Sequence, residues 1–80
     1  MRDRVIYRIY FESKEDRVIF YNILKKYNCS MMQLSKESCF SRSYLYNVLN
    51  GQKSVSEKLR LYLLDRFDYD IDLMRLFKLI

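Results

Sequence analysis

Eighty residues, 50% of them apolar or aromatic and 31% charged, describe one globular domain with too much hydrophobic content for a disordered tail. A net charge of +5, from 15 basic and 10 acidic side chains, favours a polyanionic partner without choosing between DNA, RNA and a membrane surface. The apolar runs are short and broken by Arg or Lys, which excludes a bilayer-spanning helix, and Met1-Arg2-Asp3-Arg4 does not read as a secretory signal, so the cytoplasm is the expected location.

Taken in chain order, residues 4–11 come first: Arg-Val-Ile-Tyr-Arg-Ile-Tyr-Phe. Val5, Tyr7, Ile9 and Phe11 would line one face of a β-strand. The alternative is an extension of the first helix. A lone strand leaves its backbone unpaired and needs a partner, such as the same strand of a second subunit. Beyond it the chain reads as helix after helix. A serine or aspartate whose side-chain oxygen meets an unpaired first-turn N–H marks each start, and a Glu or Gln three residues on can reach back. Ser13 to Asp16 is a weak version of that box, and Ser30 to Gln33 and Ser54 to Glu57 fit it fully. Ser41 and Asp70 read as single caps. Five helices follow, over 13–27, 30–38, 41–50, 55–66 and 70–79, so the fold class is mostly α. Gly51, the one glycine, follows Asn50 where a helix ends in a left-handed turn.

Charge is unevenly placed. Residues 41–60 carry Arg42, Lys53, Lys58 and Arg60 against Glu57, while Asp65, Asp68, Asp70 and Asp72 crowd the stretch beyond. Those acids lack the glycine and distal glutamate of an EF-hand loop and read as caps and solvated surface. With two cysteines, Cys29 and Cys39, and no histidine, a structural zinc is not expected, and both thiols read as small buried groups. No nucleophile–base pair, facing carboxylates or glycine-rich phosphate loop is present, so neither an enzyme nor a cofactor is expected. Phe20, Tyr27, Tyr62 and Phe67 fall on apolar helix faces and read as core before they read as stacking platforms for single strands.

Residues 30–50 form the constellation that carries function. Two short helices flank a tight turn at Cys39-Phe40, with the small Ser35 where they would cross. Leu34, Phe40, Leu45 and Val48 pin one helix to the other, and Leu49 joins Leu45 and Val48 on the inner face. The opposite face of the second helix shows Arg42, Ser43, Tyr46 and Asn47. Arg bonds guanine bidentately, Asn does the same with adenine, and Ser serves bases or phosphate.

On these residues the chain resembles the phage-repressor helix-turn-helix domains (lambda-repressor and Cro-like, Xre-type). The resemblance runs from Ser30 to about Phe67 and rests on Leu34-Ser35, Phe40 to Leu45, Val48, Asn50-Gly51 and the capped helix after Ser54. It implies that the helix opening at Ser41 enters the major groove of duplex DNA, with Arg42, Ser43 and Asn47 at base edges and Asn50, Gln52 and Lys53 near phosphates. Ser41, Tyr44, Tyr46 and Gln33 complete the expected DNA-binding set. Where the family commonly has glutamine, a turn glycine and a glutamate before Asn-Gly, this chain has Met31, Cys39 and Leu49. A non-glycine residue in that turn costs on the order of 1 kcal/mol.

The expected function is sequence-specific binding of double-stranded DNA, as a regulator of transcription or of a mobile element. A homodimer is expected, since paired recognition helices reach half-sites one DNA turn apart. Its surface would be residues 4–11 or the last helix, with Leu73, Leu76, Phe77 and Ile80. The rival is a protein-interaction module, an antirepressor or assembly factor, using Arg42, Tyr44 and Tyr46 as a hot spot.

Overall fold

A computed structural model describes residues 9–80, which fold into five helices: α1 (Lys14–Lys26), α2 (Met31–Ser38), α3 (Arg42–Leu49), α4 (Glu57–Arg66) and α5 (Ile71–Leu76). The protein is mostly α, and no strand occurs among the described residues. Side-chain oxygens of Ser13, Ser30, Ser41, Ser56 and Asp70 each accept a first-turn N–H. The Ser13 box, weak on paper, is complete, because the Asp16 carboxylate also accepts the Ser13 N–H. The Ser30 cap is made, but the Gln33 side chain turns away and donates to Glu37 at 2.9 Å.

Two helix ends differ from expectation. Ser56, not Ser54, caps α4, because the Val55 N–H is committed to the Ile9 carbonyl at 2.8 Å and the chain stays extended up to that point. α5 stops at Leu76 rather than 79. Lys78 adopts a left-handed conformation (φ 59°), and the Leu79 N–H turns back to the Met74 carbonyl, closing the helix.

Most of the strand expected over 4–11 lies outside the described residues. Within 9–11 its alternation holds, with Ile9 and Phe11 buried and Tyr10 exposed. Ile9 forms an isolated antiparallel bridge with Val55, so this part of the segment pairs within its own chain.

α1 packs chiefly on α5, and α2 on α3. Leu34 of α2, Leu59 and Leu63 of α4, Phe67, Leu73 of α5 and Phe77 are sealed from solvent. Phe20 packs on Phe11 and Tyr27 on Phe67 in tilted contacts, with ring centroids 5.7 and 5.2 Å apart. The apolar face of α5 therefore faces inward. Of the four residues expected to join a second subunit, Leu73, Leu76 and Phe77 are buried in this core, and Ile80 is exposed. Releasing each buried side chain would cost about 1.5–3 kcal/mol, so this face is not available for dimerisation.

Asp70 fixes α5 to the end of α1. Its carboxylate, almost wholly buried, accepts from Lys26 Nζ at 2.6 Å, from the Tyr27 hydroxyl at 2.8 Å and from the Asp72 and Leu73 amides. Burial pushes its pKa up, but the bonds from Lys26, Tyr27 and the two amides outweigh burial and hold it below the usual carboxylate value.

Candidate nucleic-acid interface

α2 and α3 are joined by a three-residue turn, and its polar groups are met locally. Cys39 takes φ 65°, the left-handed conformation that glycine would adopt without strain, and its N–H reaches the Ser35 carbonyl at 3.1 Å. The Ser35 hydroxyl donates to the Phe40 carbonyl at 2.7 Å, while the Phe40 N–H donates to the Ser38 hydroxyl. Ser35 is thus more than a small residue at a crossing, because it closes the turn. Leu34, Leu45, Val48 and Leu49 are buried, and Phe40 packs partly buried against them. One expectation fails here: Cys29 is buried, its thiol pushed up by desolvation, but Cys39 is exposed at the turn.

With its apolar side buried, α3 presents Arg42, Ser43 and Tyr46 to solvent and Asn47 half-buried beside them. Arg42 and Tyr46, and likewise Ser43 and Asn47, are one turn apart and share a face. Among the described residues none of these four side chains enters a hydrogen bond within the protein. Gln52 and Lys53 follow on the exposed loop, their N–H groups both donating to the Asn47 carbonyl, at 2.9 and 3.2 Å. Those bonds fold the loop back against the end of α3.

The other members of the expected set have internal tasks. Ser41 caps α3, accepting the Tyr44 N–H at 3.1 Å. Tyr44 points inward, its ring 5.6 Å from that of Phe40. Its hydroxyl donates to the Ser54 carbonyl and accepts the Ser56 N–H, both at 3.1 Å. It ties α3 to the start of α4, so its hydroxyl is engaged within the protein. Gln33 lies on α2, held by Glu37, whose carboxylate also binds Arg66 at 2.7 Å and the Tyr62 hydroxyl. These donors, Arg66 first, hold the Glu37 carboxyl below its usual range.

Asn50 leads to a residue the sequence did not single out. Its side-chain oxygen accepts from Arg17 Nη1 at 3.1 Å, which brings a guanidinium from α1 to the end of α3. Arg17 carries no local signature, since 33 positions separate it from Asn50. Gly51, at φ 78°, lies against the N-terminal segment so closely that a Cβ would stand 2.7 Å from the Phe11 carbonyl oxygen. The positive φ suits glycine, and the contact leaves no room for a side chain.

No helix among the described residues is long and apolar enough to cross a membrane. A scan against models of known protein families finds no match, and searches of curated proteins and of solved structures find none either.

Proposed function

We propose that α2 and α3 form a helix-turn-helix of the phage-repressor type and that the protein binds double-stranded DNA in a sequence-specific way. The observation that carries this reading is the exposed face of α3. It is rich in donors and acceptors, is held by a buried apolar stripe behind it, and continues into the basic loop at Lys53. Arg42, at the start of the helix, meets a guanine edge, and Asn47, farther along, bonds an adenine. Lys53 and Arg17 neutralise phosphates, and Ser41 and Tyr44 hold the helix in place. The protein acts in the cytoplasm as a homodimer, regulating transcription or a mobile element by binding rather than catalysis.

The test is duplex binding after selection of preferred sites from random DNA, measured at two salt concentrations. Arg42→Ala and Asn47→Ala are each expected to cost about 1–3 kcal/mol on the selected site and to relax preference at one position. Lys53→Ala should weaken all duplexes about equally and flatten the salt dependence, because phosphate contacts release counterions. Unchanged affinity and preference in both α3 variants would remove the reading. The exposure of Tyr46 beside Arg42 also favours a protein-binding hot spot. A wild-type protein with no salt-dependent duplex affinity would point there.

A further inference from the structure

The start of α1 and the end of α5 enclose a cleft of about 270 Å³ on the surface. Its exposed apolar part is Tyr10 and Ile19, 38% and 37% exposed, which lie over the buried Leu76 at its floor. Glu12 and Asp16 form an acidic wall on the α1 side, and Arg75 and Lys78 form a basic wall on the α5 side. The Asp16 carboxylate is fixed by the Glu12 and Ser13 amides and Arg75 lies 4.0 Å from the Asp72 carboxylate, whereas Glu12 and Lys78 are exposed.

We propose that a second copy of this chain docks on this cleft, forming a two-fold dimer in which the Glu12 side of each copy faces the Lys78 side of the other. The proposal rests on the homodimer reading above and gives it a surface different from the buried face of α5. A patch with an apolar centre, acid on one flank and base on the other is complementary to itself. Rotation about a two-fold axis running between the flanks sets each acidic wall against a basic one. A foreign partner would need a matching pattern of its own, whereas a second copy already carries it. With Tyr10 and Ile19 as its exposed apolar residues, the contact is weak alone and gains from DNA that holds two copies together.

Sedimentation of the full chain over a wide concentration range, at low and high salt, tests this. Wild type should dimerise, more strongly at low salt. Glu12→Lys and Lys78→Glu should each weaken association roughly tenfold or more, because like charges then face one another. Mixing the two variants should restore it. In the mixed pair both contacts are again opposite in sign, whereas within either single variant the charges remain alike. Circular dichroism of each variant should match wild type. Arg42→Ala, on α3, should leave self-association intact, so loss of the dimer and loss of duplex reading are separable. A wild-type monomer at every concentration overturns the proposal and leaves the cleft to another protein. Single variants that associate like wild type, or a mixture that stays monomeric, overturn it as well.

Discussion

Replacing Tyr44 with phenylalanine separates support of α3 from the DNA contact proposed for that helix. The substitution keeps the ring against Phe40 and the core, so it opens almost no cavity. It removes the hydroxyl that accepts the Ser56 N–H and donates to the Ser54 carbonyl, each at 3.1 Å. A buried backbone group left without a partner costs about 1–3 kcal/mol, but Ser54 and Ser56 are only half-buried and water can meet part of that loss. The expected destabilisation is therefore about 1–2 kcal/mol. For a domain of this size that lowers the melting temperature by roughly 5–15 °C. Urea denaturation followed by circular dichroism measures the first quantity and a thermal scan the second. Duplex affinity, measured well below the transition, should stay within about twofold of wild type, since the hydroxyl faces α4. Tyr46→Phe, on the exposed face, should change stability by less than about 0.5 kcal/mol. An unchanged stability for Tyr44→Phe, together with a large loss of duplex affinity, would refute the assignment of Tyr44 to support.

Gly51→Ala should destabilise by about 1–3 kcal/mol, read by the same denaturation, since φ is positive and the new Cβ meets the Phe11 carbonyl. Cys39→Gly should stabilise by up to about 1 kcal/mol, because glycine accepts the left-handed turn without strain, although it loses more freedom on folding. The Asp70 carboxyl is depressed on folding, so its contribution is complete above the ordinary value of 3.8 and is lost as pH falls through the folded value. Lys26 is raised above 10.5, chiefly by its bond to Asp70, so its contribution is complete below that pH and fades as pH rises through the folded value. Asp70→Asn should therefore flatten the stability profile at both extremes, in denaturation curves collected across pH. An unaltered profile would show that the Lys26–Asp70 pair does not couple folding to pH.

The helices, their order and the apolar side of each were legible in the sequence because the signals are local. A cap reaches three residues ahead, and an apolar stripe repeats every turn, so Ser13, Ser30, Ser41 and Asp70 announced their helices without knowledge of the rest. The exposed face of α3 was legible for the same reason, as the complement of Leu45, Val48 and Leu49. Three-dimensional packing decided what lies between distant residues. The pairing of Val55 with Ile9 moved the α4 cap from Ser54 to Ser56. Tyr44 became a support when its hydroxyl found backbone groups 10 and 12 positions away, and Arg17 reached the end of α3 across 33. The apolar residues of α5 carry the same pattern whether they face a core or a partner, and only the packing of α5 on α1 turned them inward. Local chemistry sets where a helix begins and which side is apolar, but what that side meets depends on the path of the whole chain.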